Sequence, residues 1–181
     1  MHRKTTDLRA TLILVGVALF LSLSSLAGLS QAGDLSTPVL RELQRYTPSK
    51  HDSESKDERA ARLKVIAQAI ATASDGDREL AAALVVIARQ ESALARHIHE
   101  GRCKPDECDG GRAATLWQVW KLRSMSAEEF DALKGADLKA TTRAAGYAGG
   151  LLRKMRNYCG GSLRGALGAY ATGKCAVTGR G

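Results

Sequence analysis

The sequence predicts an all-α fold, or one that is α with a very small β element. Three observations carry this. Apolar residues recur at helical spacing, as in Leu63, Ile66 and Ile70 and again in Leu80, Leu84 and Ile87. Helix start and stop signals stand at the ends of such stretches. No convincing run of alternating strand residues is present, and no internal repeat is visible.

The elements follow in order. Met1-His2-Arg3-Lys4 and Arg9 precede an uncharged apolar run from Leu12 to Leu29, and Ser30-Gln31-Ala32 ends it with small residues. Basic, apolar and small, in that order, is a secretory signal, so 1–32 is read as a signal peptide and the protein as exported. An uncleaved anchor is the alternative, because the run is nearly long enough to span a bilayer. Membrane association is expected only in that case. The stretch 33–57 reads as a polar N-terminal segment and linker, with Pro38 and Pro48, a short helix around Leu40, Leu43 and Tyr46, and a link from Ser49 to Lys56. The main domain is expected over 58–181.

Within it, Glu58 to Ala73 reads as one helix, and Asp77 caps a second running to about Ala95. His97 to Arg112 is charge-rich and reads as a loop. Ala113 to Leu122 is apolar and holds both tryptophans, Trp117 and Trp120. Ser126-Ala127-Glu128-Glu129 is a capping box before a short helix. Leu138 to Tyr158 is a longer helix. Leu163 to Thr172 is the last, stopped by Gly173.

Removing 32 residues leaves 149 of the 181, enough to bury a core. The leader carries Arg3, Lys4 and Arg9 against Asp7, so +6 of the chain's +8 stays with the remainder. A basic exported protein is drawn to polyanions, and bacterial walls and nucleic acids both qualify. All four cysteines, Cys103, Cys108, Cys159 and Cys175, lie beyond the leader. An even count behind a secretory signal reads as disulfides. Of three possible pairings, Cys103–Cys108 and Cys159–Cys175 close the shortest loops. A zinc site from His97, His99, Cys103 and Cys108 is the alternative, but that spacing matches no usual zinc pattern.

The residue that points to chemistry is Glu91. It continues the stripe of Leu80, Leu84 and Ile87, and Leu94 comes after it. A carboxylate on an apolar stripe, close to a helix C-terminus, is disfavoured in its charged form by burial and by the macrodipole. That is the condition of a general acid at neutral pH. A rim glutamate paired with Arg89 or Arg96 is the plainer reading of the same position.

Three short motifs then occur in order. Glu91-Ser92 ends an apolar helix, Leu116-Trp117-Gln118-Val119 follows a polar loop, and Ala169-Tyr170-Ala171-Thr172-Gly173 stands near the end. This order resembles the lytic transglycosylase and goose-type lysozyme superfamily over roughly Ala60 to Cys175. The family pattern is a catalytic Glu followed by Ser, then Gly-Leu-Met-Gln, then Ala-Tyr-Asn-x-Gly. The resemblance implies a lysozyme-like catalytic domain, with Glu91 as catalytic acid. Ser92, Trp117, Gln118 and Tyr170 are implied on the substrate side, with Trp117 equally suited to the core. Thr115 stands where the family has Gly, Trp117 where it has Met, and Ala171 where it has Asn. Goose-type lysozymes carry an Asp nine residues before the cleft Gln, which here falls on Asp109. Asp109-Gly110-Gly111 is also a sufficient turn sequence.

The resemblance implies peptidoglycan glycan strands as partner and cleavage between N-acetylmuramic acid and N-acetylglucosamine. Glu91 would protonate the bridging oxygen. In a transglycosylase the same group then takes a proton from the C6 hydroxyl and a 1,6-anhydro sugar leaves; in a lysozyme, water attacks. The transglycosylase is favoured because Glu91 stands without an equally supported second carboxylate. No metal or organic cofactor is implied, and a monomer is expected. A wall-binding module without turnover is a second class. A nucleic-acid-binding protein using Arg153-Lys154-Met155-Arg156 is a third, which export disfavours.

Overall fold

A computed structural model describes residues 34–47, 53–106 and 108–175. The leader at 1–32 lies outside the described residues. Among the described residues there are seven α-helices: α1 (Ser36–Gln44), α2 (Lys56–Ser74), α3 (Arg78–Ser92), α4 (Arg96–His99), α5 (Ala127–Asp131), α6 (Leu138–Tyr158) and α7 (Leu163–Thr172). A 3-10 turn (Asp109–Gly111) and two strands, β1 (Ala113–Ala114) and β2 (Val119–Trp120), fall between α4 and α5. The strands pair antiparallel, Ala113 with Trp120 and Ala114 with Val119. The class is therefore α with a very small β element, as the sequence predicts.

The described chain divides into two compact units, 34–150 and 151–175, and α6 contributes to both. In the larger unit α1 packs on α2 and α3, and α2 packs on α3. Leu43, Leu63, Ile66, Ile70 and Leu84 are buried there. Each such side chain stabilises the fold by about 2 kcal/mol relative to exposure. The ends of these helices are set by local chemistry. Ser55 Oγ accepts from the Glu58 amide at 3.2 Å and Glu58 Oε2 accepts from the Ser55 amide at 2.8 Å, a full capping box for α2. Asp77 caps α3 through the Leu80 amide at 2.9 Å. Ser126 and Glu129 form the second capping box, before α5.

The short helix expected within 33–57 is present as α1. α1 buries Val39 and Leu43, one helical turn apart. Beyond the undescribed 48–52, Glu54 is held in an ion pair with Arg59 and Arg62, its side chain 2% exposed. A helix this short is stable only when its apolar face is covered, and the following helices cover it. α1 thus belongs to the same compact unit as α2 and α3.

The smaller unit holds the end of α6 and all of α7. Ser162 caps α7 through the Gly165 amide at 3.0 Å, and Gly173 ends it with φ 74°. Cys159 and Cys175 are paired across it, Cα atoms 5.6 Å apart. Gly165 meets this bridge closely: a Cβ there would lie 2.8 Å from the Cys159 Cβ. No helix among the described residues is long and apolar enough to cross a membrane.

Candidate active site

Helix α3 carries the apolar stripe as expected: Leu80, Leu84 and Ile87 are buried, and Glu91 follows half-buried in the last turn. The helix stops at Ser92, three residues short of the expected end. Ala93 and Leu94 both take left-handed backbone, with φ 51° and 56°. Such backbone is unfavourable for residues with a Cβ, by about 1–2 kcal/mol each. Surrounding contacts must therefore hold it. The Ala93 amide donates to Arg89 O at 2.8 Å, and Ala95 N to Ser92 O at 2.9 Å. Ser92 Oγ donates to Ala88 O at 2.7 Å and accepts from the Leu94 amide at 3.3 Å.

From the other side, Arg62 on α2 donates through Nη1 to Leu94 O at 2.8 Å. Its Nε donates to Glu54 Oε2 at 2.9 Å, and Glu54 is shared with Arg59, which also donates to Tyr46 O at 2.8 Å. The two guanidiniums hold the Glu54 carboxyl below the ordinary glutamate range although burial opposes this. The turn that follows Glu91 is thus fixed by a charged network rooted in α2. Ser92, expected on the substrate side, is buried at 6% exposure with its hydroxyl engaged by its own helix. In this structure it shapes the turn.

The second motif folds over α3. Trp117 is fully buried, and its Nε1 donates to Leu84 O at 2.9 Å. Sugar stacking by Trp117 is therefore corrected: a ring without an exposed face is core. Its contact pins the motif loop to α3 two turns before Glu91, roughly 10 Å along the axis. Thr115 and Gln118 both have positive φ, 71° and 48°. The first value is a genuine outlier for a β-branched residue, in a backbone region that favours glycine. Thr115 partly compensates by accepting from the Trp117 amide at 3.3 Å. Gln118 is 9% exposed, and its Nε2 donates to Thr115 O and Cys108 Sγ, both at 3.3 Å. Its amide faces its own loop and the Cys103–Cys108 bridge, whose Cα atoms are 6.1 Å apart.

Asp109 is exposed, with φ 50°, and opens the 3-10 turn. Its carbonyl accepts from Arg112 Nε at 3.1 Å. Aspartate tolerates left-handed backbone better than most residues, so the turn accounts for it. Tyr170 lies half-buried on α7, in the smaller unit. A small pocket beside the hairpin is lined by Cys103, Cys108, Ala113, Thr115 and Lys134 among others, and Glu91 is not one of its walls.

Two features escaped the sequence reading. One is the Arg62–Glu54 network, whose members carry no motif. The other is Trp120, which is 48% exposed while Trp117 is buried. Val119 is buried beside it, but a two-residue strand carries too little alternation to have shown this in the sequence. His99 is also distinctive. It is buried, and its Nε2 lies 2.9 Å from Thr141 Oγ1. That hydroxyl donates to Asp137 O at 2.7 Å, so it accepts from His99, which fixes the proton on Nε2. Burial, then the Arg62 cation, lowers the His99 pKa to about 4, so the ring is neutral at physiological pH. The cysteines are all in disulfides, which removes them as zinc ligands.

Protein-family models, curated proteins and solved structures were compared with the chain, and none matches.

Proposed function

We propose that the protein is an exported lytic transglycosylase that cleaves peptidoglycan between N-acetylmuramic acid and N-acetylglucosamine, with Glu91 as general acid and then base. The observation that carries this reading is the setting of Glu91. It stands half-buried at the end of an apolar helix, before a strained turn that five separate contacts hold. Strained non-glycine backbone persists where surrounding structure over-determines it, and such places cluster at functional sites. The motif loop of Trp117 and Gln118 is fastened to the same helix. Two disulfides suit the oxidising compartment that the leader implies.

The chemistry needs one group in two protonation states. Protonated Glu91 gives its proton to the bridging oxygen as the glycosidic bond breaks. Ionised Glu91 then accepts the proton of the muramoyl C6 hydroxyl while that oxygen closes on C1, giving the 1,6-anhydro ring. The turn at Ala93 and Leu94 keeps the carboxyl from moving with a fraying helix end. Replacing Glu91 by Gln tests the assignment: turnover of purified peptidoglycan should fall by at least ~10²–10⁴ with the fold retained. Undiminished turnover by folded Glu91→Gln overturns it.

A further inference from the structure

The hairpin beside the motif loop carries a surface that the functional reading does not use. Trp120 is 48% exposed and Leu122 is 45% exposed, two residues apart on the same segment. Leaving a tryptophan half in water forgoes burial that would stabilise the fold by on the order of 1 kcal/mol. The ring is nonetheless held in place. Trp120 is in β2, paired with Ala113, and the Lys121 amide donates to Arg112 O at 2.8 Å. The Arg112 guanidinium stands 5.2 Å from the ring centroid, and its Nε is fixed on Asp109 O at 3.1 Å. Lys121 and Arg123 are exposed on either side of Leu122. An aromatic plane with a guanidinium over one face, and further cations beside it, suits a ligand that sets an apolar ring face on the other side and carries a negative charge.

We propose that Trp120 and Arg112 form a carbohydrate subsite, in which Trp120 stacks on a sugar ring of the glycan strand and Arg112 pairs with the free lactyl carboxylate of a muramoyl residue that carries no peptide. This rests on the peptidoglycan reading above. The C–H face of a pyranose lies flat on an aromatic plane, and a guanidinium donates two charge-assisted hydrogen bonds to a carboxylate. Nucleic acid also combines ring faces with negative charge. It is disfavoured because strand-binding proteins stack successive bases on several aromatic rings, and this hairpin exposes a single one.

The test is calorimetric binding in a Glu91→Gln background, which prevents turnover. The probes are peptide-free glycan strands, uncharged chitohexaose and a single-stranded oligodeoxynucleotide. Trp120→Ala should weaken glycan-strand binding about tenfold, the loss of one stacked ring, and Trp120→Tyr should restore most of it. Arg112→Gln should weaken glycan strands several-fold and leave chitohexaose unchanged. Unchanged strand binding by Trp120→Ala overturns the subsite, as does an oligonucleotide that binds more tightly than the strands. Wild-type turnover measured in parallel separates the two proposals. Turnover with Trp120-independent binding removes only the subsite; Trp120-dependent binding without turnover removes the catalytic reading and keeps the subsite.

Discussion

Arg62 donates to the carbonyl of Leu94 across 2.8 Å, joining α2 to the left-handed turn that follows Glu91. Arg62 and Leu94 are 32 residues apart, and both are buried. The contact leaves neither the cation nor the carbonyl without a partner, and Glu54 supplies the opposite charge.

Arg62→Met should therefore destabilise the protein by on the order of 3 kcal/mol, because it leaves the Leu94 carbonyl without its Arg62 donor and the Glu54 carboxylate with only the longer Arg59 contact. The double variant Glu54→Gln, Arg62→Met should recover part of that loss, since no buried charge remains. Urea unfolding of the three proteins measures this. A single variant as stable as the wild type would show that the network adds nothing.

Thr115 stores strain that a glycine would not. Thr115→Gly should leave stability unchanged within about 1 kcal/mol, or raise it, although a buried side chain is removed. Thr115→Val keeps the β-branch and loses the hydroxyl that accepts from Trp117, so it should be the less stable of the two. Thermal melts decide the order, and a larger loss for Thr115→Gly refutes the strain argument.

How far the sequence reading reached follows from these residues. The cap at Asp77, the capping box at Ser126 and the stop at Gly173 are local chemistry, so helix ends were legible there; the box at Ser55 has the same chemistry and was missed. The end of α3 was not, because Ser92-Ala93-Leu94 holds no glycine or proline and the turn depends on Arg62 from another helix. The half-buried position of Glu91 was legible from its place on the stripe. Trp117 and Trp120 were not separable, because two-residue strands offer too little alternation to say which ring faces inward.

His99 makes stability depend on pH. Unfolded, its ring takes up a proton near pH 6.5; folded, it resists until about pH 4. The folded state is therefore favoured above pH 6.5, and its advantage falls as pH drops through that window, by about 3 kcal/mol in all. His99→Gln keeps a donor for Thr141 and does not titrate. The difference in unfolding free energy between wild type and His99→Gln should change between pH 6.5 and 4. A constant difference contradicts the buried neutral ring.

Asp109 distinguishes the two possible nucleophiles. It is exposed and opens a tight turn, and a transglycosylase needs no second carboxylate to hold water. Asp109→Asn should keep most turnover, with products still 1,6-anhydro. A collapse approaching that of Glu91→Gln, at unchanged melting temperature, would favour attack by water.

The most direct measurement is mass spectrometry of the fragments that the purified, disulfide-bonded protein releases from peptidoglycan. The account predicts muropeptides ending in 1,6-anhydromuramic acid from the wild type and none from a folded Glu91→Gln variant. Fragments with ordinary reducing ends would contradict the intramolecular mechanism, and no fragments from the folded wild type would contradict the enzyme.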